Sequence, residues 1–246
     1  MANARFRYKE YHRYHTVYQT LPETQKVLDI QTEQLKKFEE EAKERSDPKL
    51  YVQNSQKLVD TFVEKLPSLK LTDVIDKQIG ENHIGFIGQV SSGKTSMINA
   101  MFNKNFPVAL GNCTEKRKVV HKEDENVIWD GQNDDFNFYN PINLSFVKNL
   151  DKCVILFDND ISMISNVLKV VHKINPNNMV IIRTKVDQHH QFNVRTIQEE
   201  QRLDQEKVKN LLGVEIKTYC VSSHNIIDNK PNMYDWLDIK RILGIH

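Results

Sequence analysis

Residues 88–95 read Gly-Gln-Val-Ser-Ser-Gly-Lys-Thr and fit the phosphate-binding pattern G-x-x-x-x-G-K-[ST] without a mismatch. An apolar run at residues 83–87 precedes this stretch, and helix-forming residues 96–102 follow it. Strand, glycine-bearing loop and helix in this order direct backbone N–H groups and the positive end of a helix towards a phosphate. The stretch therefore predicts an α/β fold in which this loop binds a phosphorylated ligand.

Individual residues of this loop have distinct expected roles. Lys94 is expected to reach the β- and γ-phosphates of a nucleotide, and the Thr95 hydroxyl is expected to bind Mg²⁺. Both residues are therefore candidates for catalysis as well as for binding. Gly88 and Gly93 permit backbone conformations that a side chain would obstruct. The candidate nucleotide contacts in this part of the chain are Gly88, Gln89, Val90, Ser91, Ser92, Gly93, Lys94, Thr95 and Ser96.

The chain before Gly80 has a helical pattern and contains no glycine. Leu28 and Leu35 lie seven residues apart in a helix whose other positions are mostly Gln, Glu and Lys, which is typical of a packing stripe. Pro48 is suited to the first position of a second helix. The predicted buried face of that second helix comprises Leu58, Phe62 and Leu66. Residues 1–80 are thus predicted to form a small all-helical segment, either an appendage or a partner-binding unit.

Residues 81–246 alternate between short apolar runs and helical stretches. Strands are predicted at residues 83–87, 126–129, 153–157, 179–182 and 216–221, and helices at residues 161–173, 194–212 and 233–243. This alternation predicts a mainly parallel sheet with helices on both faces. Ligands of such sheets bind at the carboxyl ends of the strands, where the phosphate loop is expected to lie.

A second motif, Thr184-Lys185-Val186-Asp187, directly follows the apolar run at residues 180–182. It fits the pattern [NT]-K-x-D, which reads the base in P-loop GTPases. The Asp187 carboxylate can accept hydrogen bonds from N1 and N2 of guanine, and adenine would leave that carboxylate facing an acceptor. The stem of Lys185 is expected to lie over the purine. Thr184, Lys185 and Asp187 are therefore candidate base-site residues.

Three further segments follow from the same order of elements. Ser222 and Ser223 come after the last predicted strand, where a backbone N–H could meet O6 of guanine, and the sequence does not choose between them. Asp130 directly follows the predicted strand at residues 126–129 and could hold Mg²⁺ through water. Thr114 is a loop threonine that could add a Mg²⁺ contact and a γ-phosphate hydrogen bond, and it is the third candidate for catalysis.

The chain resembles dynamin-superfamily GTPases, most closely the immunity-related (interferon-inducible) GTPases. The run at residues 86–101 is similar to their phosphate loop and first helix, Arg183–Asp187 matches their R-T-K-V-D, and Val127–Asp130 resembles their W-D strand end. The resemblance implies a Ras-like P-loop GTPase domain over residues 81–246 that binds GTP and GDP with Mg²⁺. It also implies a homodimer formed through that domain and action on intracellular membranes or vacuoles.

One motif of that family is altered in this chain. Where the family has D-x-P-G, residues 130–133 read Asp-Gly-Gln-Asn, so Asn133 replaces the glycine whose N–H meets the γ-phosphate. Gln132 is the available candidate for positioning the attacking water. Three functions therefore stay open: a slow Mg²⁺-dependent GTPase, a degenerate scaffold that holds GTP or GDP without hydrolysis, and an ATP-using P-loop protein.

Composition limits the classes of partner. The 246 residues carry a formal net charge of +1, so bulk charge does not favour nucleic acid as a partner. No run of eighteen apolar residues occurs, which argues against a transmembrane segment. The three cysteines are widely spaced and form no C-x-x-C, which suits a reducing compartment. We expect a cytoplasmic protein whose contact with membranes, where it has any, is peripheral.

Overall fold

A computed structural model describes residues 22–44, 48–71, 75, 77–89, 91–106, 118–123, 125–130, 141–189, 195–230 and 233–245. Their contacts divide the chain into two units. The first unit takes its residues from Met1–Lys77, Asn137–Asn149 and Lys169–Pro176, and the second takes them from Gln78–Phe136, Leu150–Leu168 and Asn177–His246. The sequence suggests one boundary near Gly80, whereas two later segments also belong to the first unit.

The described residues form six strands and nine α-helices. The strands are β1 (Asn82–Gly88), β2 (Lys118–Glu123), β3 (Asn126–Asp130), β4 (Lys152–Phe157), β5 (Met179–Arg183) and β6 (Thr218–Cys220). The helices are α1 (Pro22–Glu44), α2 (Pro48–Lys65), α3 (Lys94–Phe102), α4 (Pro141–Asn149), α5 (Ser165–Ile174), α6 (Val186–His189), α7 (Ile197–Leu212), α8 (Ser223–Ile227) and α9 (Trp236–Leu243). None of these described helices combines the length and the apolar composition needed to cross a membrane.

The first unit has a small apolar core between helices. Its buried members are Leu28, Leu58, Phe62, Leu66, Leu144 and Val170. Leu58 and Phe62 of α2 are buried as predicted, as is Leu66 directly after its end, and the predicted start at Pro48 is confirmed. Leu35 and Phe38 of α1 pack against this core while partly exposed. The apolar stripe of α1 thus serves helix packing within the unit.

The second unit contains a six-stranded sheet, counted over the described residues, in the order β2-β3-β1-β4-β5-β6. All neighbouring pairs are parallel except β2 and β3, which pair antiparallel at one edge. The prediction of an α/β fold with a mainly parallel sheet is confirmed. Strand β2 was not expected from the sequence, and its pairing with β3 contains an irregularity between Val119 and His121.

Helices cover both faces of this sheet. One face joins α3 and α9 through a single buried cluster that contains Ile84, Leu156, Met97 and Trp236. Successive residues of a strand point to opposite faces. Ile182 of β5 belongs to this cluster, so the next side chain, Arg183, lies on the other face. The Arg183 guanidinium donates to the carboxylate of Asp204 on α7 at 2.7 and 2.9 Å.

Candidate functional site

The phosphate loop connects the end of β1 to the start of α3. Gly93 precedes the helix with φ +87° and ψ 18°, and Ser91 also has a positive φ of 63°. Two left-handed residues within three positions reverse the chain tightly, and the Ser92 N–H donates to the Gln89 carbonyl at 3.2 Å. Val90 lies outside the described residues. The strand, loop and helix predicted from residues 83–102 are therefore all present.

Gly88 is required by close contact with the neighbouring strand. A Cβ at this position would lie 2.4 Å from the Leu156 carbonyl oxygen and 2.6 Å from Ser92 Oγ. The first of these atoms belongs to the backbone of β4, so no rotamer change relieves the overlap. Ser92 is itself fully buried. The loop therefore packs directly on the carboxyl end of the central strands.

The Lys94 ammonium lies over this loop and is almost completely buried, with 3% of the residue exposed. Its Nζ donates to the carbonyl of Gly88 at 2.9 Å and to that of Gln89 at 2.7 Å. Burial lowers the pKa of Lys94 to about 8, and the negative charge of Asp130 acts in the opposite direction. An ammonium has three N–H groups, so the two carbonyls leave one for an anionic ligand.

Thr95 and Asp130 meet at the start of α3. The Thr95 hydroxyl donates to Asp130 Oδ2 at 2.9 Å, which connects the helix to the end of β3. Asp130 is buried, and Thr95 is partly exposed. The two described members of the predicted metal site are thus brought together. The third, Thr114, lies outside the described residues, as do Gln132 and Asn133 of the altered motif.

The remaining loop candidates are peripheral. The Gln89 side-chain amide donates to the Met163 carbonyl at 3.4 Å, and Ser96 is partly buried in the first turn of α3.

The second motif begins in contact with the phosphate loop. Thr184 is buried, and its Oγ lies 2.7 Å from the carbonyl oxygen of Ser92 and 3.2 Å from that of Phe157. The Thr184 N–H also donates to the Phe157 carbonyl at 2.8 Å. The shorter side-chain contact joins residues of the two motifs directly. Residues expected to read a base therefore lie beside residues expected to bind its phosphates.

Lys185 has an unusual backbone for its residue type. Its φ is +55°, and its Nζ donates to Asp158 Oδ2 at 2.8 Å. The left-handed conformation costs a residue with a Cβ about 1–2 kcal/mol. The ion pair is partly exposed, with 33% of the Lys185 side chain and 22% of the Asp158 side chain accessible, and such pairs contribute about 0–1 kcal/mol. The pair therefore does not offset the backbone strain. Asp158 was not expected from the sequence.

Asp187 lies in the first turn of α6 and is partly exposed. Tyr234 packs against a buried cluster that includes Val186 and Cys220. Burial raises the pKa of the Tyr234 phenol, and the negative charge of Asp187 raises it further. Tyr234 also has a left-handed backbone, with φ +53°. An aromatic side chain that the sequence did not single out therefore belongs to the surroundings of Asp187.

The two predicted serines after β6 have different surroundings. Ser222 caps α8, because its Oγ accepts a hydrogen bond from the Asn225 N–H at 3.1 Å. Ser223 is the first residue of α8, and its Oγ lies 3.7 Å from the Met97 sulfur. Both are buried. Their loop follows Val221, whose N–H donates to the Arg183 carbonyl at 2.9 Å, so it lies beside the second motif.

Comparison of the chain with known protein families gives no match, and comparison with curated proteins gives none either.

Proposed function

We propose that this protein binds a guanine nucleotide with Mg²⁺ at the carboxyl edge of its sheet and hydrolyses GTP slowly. The contact of Thr184 with Ser92 at 2.7 Å carries this proposal. It places the T-K-x-D motif, which could read the purine, against the loop that could hold the phosphates. The T-K-x-D pattern alone is a weak signal, whereas a single nucleotide site requires both motifs at the same edge of the sheet.

The topology supports the finer assignment to the Ras-like P-loop GTPases. Strand β1 lies between β3 and β4. The strands that follow β1 in the chain therefore lie first on one side of it (β2 and β3) and then on the other (β4 to β6). Ligands of open α/β sheets bind at such a switch point, outside the carboxyl ends of the strands. The loop that follows β1 is the phosphate loop, so the topology and the motif indicate the same place.

The residues of the loop fit a polyphosphate. The close approach of Gly88 to β4 leaves no room for a side chain, and the left-handed Ser91 and Gly93 form the turn before α3. Successive N–H groups in such a turn, together with the start of a helix, form an anion-binding concavity. Lys94 would add a positive charge to the β- and γ-phosphates. Because that charge is already desolvated, its attraction for an anion is stronger than in water.

Thr95 and Asp130 fit a magnesium ion in their chemistry. Mg²⁺ prefers oxygen ligands, keeps several waters, and is usually held by one or two protein oxygens with the phosphates of the substrate. Thr95 would ligate the ion directly, and Asp130 would hold one of its waters. When bound, the ion would neutralise charge on the β- and γ-phosphates during phosphoryl transfer. Thr114 is the proposed second direct protein contact of the ion and would add a hydrogen bond to the γ-phosphate.

Asp187 and Lys185 would supply base recognition. Asp187 would accept from N1 and N2 of guanine, the stem of Lys185 would lie against the ring, and a backbone N–H near Ser222 or Ser223 would meet O6. Adenine would place an acceptor against the carboxylate, which favours GTP over ATP. Association through the GTPase domain and contact with a membrane belong to this proposal only through the family resemblance.

A second function is favoured by the altered D-x-x-G segment. Asn133 stands where the family has the glycine whose N–H meets the γ-phosphate. A protein with the same pocket could therefore hold GTP or GDP as a scaffold without turning it over.

Titration and turnover measurements on one sample test both functions. We expect GTP and GDP to bind at least a hundredfold more tightly than ATP, and binding to weaken when Mg²⁺ is removed by a chelator. Phosphate release from GTP that Lys94→Ala abolishes supports the GTPase, and binding without release at any protein concentration supports the scaffold. Equal affinity for ATP and GTP, or binding of neither, contradicts the proposal.

A further inference from the structure

We propose that Asp158 is a positioning residue of the purine site, which acts by holding Lys185 in place. This inference rests on the proposed nucleotide-binding function and extends it to a residue outside the motifs. Asp158 comes directly after β4, and Lys185 follows β5 by two positions. The two strands are parallel neighbours with Phe157 opposite Arg183, so both side chains start from the ligand-binding edge of the sheet.

Hydrogen bonds of Thr184 hold the backbone directly before Lys185 in place. Thr184 is tied to β4 through its N–H and to the phosphate loop through its hydroxyl. Lys185 then takes a left-handed conformation, with φ +55°, and the chain enters α6 at Val186. This turn directs the Lys185 side chain across the edge of the sheet, where its ammonium meets Asp158 Oδ2 at 2.8 Å.

Stability does not account for this arrangement. A partly exposed ion pair typically contributes less to stability than a left-handed residue with a Cβ costs. Strained backbone that persists in a folded protein is concentrated at binding and catalytic sites, where it sets the position of a side chain. Asp158 is therefore better explained as the residue that determines where the Lys185 stem lies.

The stem is the part of Lys185 that would meet a purine. Its four methylene groups run from the backbone beside Asp187 to the ammonium at Asp158, and an apolar stem covers an apolar surface while its charged head is bound elsewhere. A ring resting on this stem gains contact whether or not it carries an amino group at C2. Asp158 would therefore affect the affinity for guanine and hypoxanthine nucleotides equally, whereas Asp187 would distinguish between them.

A double-mutant cycle on nucleotide affinity tests the inference. Dissociation constants for GDP and for inosine diphosphate, which lacks the 2-amino group, are measured with Mg²⁺ by calorimetry for wild type, Asp158→Asn, Lys185→Met and the double variant. We expect Asp158→Asn to weaken both nucleotides by the same factor, about fivefold to tenfold, so that the GDP-to-IDP ratio is unchanged. In the Lys185→Met background the same substitution should change affinity less than twofold, because residues that act through one contact are not additive.

A neighbouring pair provides the matched control. Asp160 lies on the same segment and accepts from Lys207 Nζ at 2.9 Å, yet it is tied to α7 and not to the T-K-x-D motif. Asp160→Asn should leave both dissociation constants unchanged. Asp158→Glu, which retains the charge, should keep affinity within about threefold of wild type. Asp158→Ser repeats the cycle with a smaller side chain if the asparagine variant does not fold.

The outcomes separate the two proposals. If wild-type protein binds GDP but Asp158→Asn binds it equally well, or if the two substitutions are additive, the positioning role is wrong and the nucleotide site stands. If Asp158→Asn changes the GDP-to-IDP ratio, Asp158 contacts the base or acts on Asp187, and the role through Lys185 is again wrong. If wild-type protein binds neither nucleotide, the proposed function itself fails.

Discussion

The hydroxyl of Thr184 lies 2.7 Å from the carbonyl oxygen of Ser92, a residue 92 positions earlier in the chain. Both residues are buried, and the same hydroxyl lies 3.2 Å from the Phe157 carbonyl. A hydroxyl has one proton and can donate to one of these acceptors at a time. The shorter distance favours Ser92, so the T-K-x-D motif is tied to the phosphate loop by a specific hydrogen bond as well as by the sheet.

Thr184→Val should therefore loosen the loop without changing the shape of the buried side chain. The Ser92 carbonyl would lose its donor inside the protein, which costs about 1–3 kcal/mol in the free energy of unfolding. We also expect weaker GDP binding, since the loop would lose its link to the motif. Urea denaturation measures the first effect, and calorimetry with GDP measures the second.

Thr184→Ser is the control for this change, because it keeps the hydroxyl and loses a methyl group. Its affinity for GDP should stay within about twofold of wild type even if its stability falls by about 1 kcal/mol. A valine variant that binds GDP as tightly as wild type would show that the hydrogen bond has no part in the site.

Much of the candidate site could be located from the sequence because its signals are local. Gly88–Thr95 and Thr184–Asp187 each carry their spacing within a few residues, and apolar runs mark the strands before them. The alternation of strands and helices also predicted the mainly parallel sheet. These signals depend on the local backbone conformation and on the spacing of apolar residues, and both can be recognised within a single segment.

Other features depended on contacts that no local pattern records. The pair of Asp158 with Lys185 arises only because β4 and β5 are neighbours. Strand β2 contains three charged residues and the polar His121, and it is stabilised by pairing with β3 at the edge of the sheet, so its own pattern did not predict a strand. Asp158 is the first of three polar residues directly after β4, and its place at the carboxyl end of a parallel strand was the available signal.

Lys94→Met should abolish nucleotide binding and yet stabilise the free protein. Burial lowers the pKa of Lys94 to about 8, which means that the folded protein holds the ammonium against a desolvation cost. An apolar side chain of similar length removes this cost, and although the carbonyls of Gly88 and Gln89 lose the lysine as a donor, the Gln89 carbonyl still accepts from the Ser92 N–H. We expect the free energy of unfolding to rise by about 1–2 kcal/mol. Thermal unfolding without nucleotide checks the stability, and equal or lower stability than wild type would contradict the account of the buried charge.

The same lysine predicts two opposite dependences on pH. Its folded pKa of about 8 lies below its ordinary value of 10.5, so the unfolded chain binds more protons between these values. Stability of the free protein should therefore rise with pH across that interval, by an amount that Lys94→Met eliminates. Binding of GDP requires the charged form, so its affinity should fall as the pH rises above about 8. Affinity that is constant from pH 7 to pH 9.5 would exclude Lys94 as the phosphate-binding charge.

Gly88→Ala should disrupt the loop through steric overlap. The added Cβ would lie 2.4 Å from the Leu156 carbonyl oxygen, and both atoms belong to paired strands that cannot separate cheaply. We expect a loss of more than about 2 kcal/mol in the free energy of unfolding and at least a tenfold loss of GDP affinity. Unfolding in urea and calorimetry measure the two effects.

Gly213 provides the comparison for this glycine. It has φ +73° at the end of α7, and a Cβ there would meet nothing within 4 Å. Gly213→Ala therefore isolates the cost of a left-handed alanine, about 1 kcal/mol, and should leave GDP affinity unchanged. Gly88 does not have a positive φ, so a loss of stability no larger than that of Gly213→Ala would mean that the contact with β4 is not what requires a glycine at position 88.

Asp187→Asn should change which purine the protein prefers. A carboxylate accepts from both N1 and N2 of guanine, whereas an asparagine amide offers one acceptor and one donor. Xanthine has an oxygen in place of the 2-amino group. Its N1–H can therefore donate to the amide oxygen of asparagine while its O2 accepts from the amide N–H. We expect GDP affinity to fall by a factor of about 100 or more, since a lost pairing in a polar site is costly, and xanthosine diphosphate to become the preferred ligand.

Competition of the two nucleotides against a fluorescent GDP analogue measures this preference. Asp160→Asn is the control and should keep the wild-type order of affinities. A variant that still prefers GDP would show that Asp187 does not face the base, and loss of both nucleotides together would indicate a role in the fold of α6.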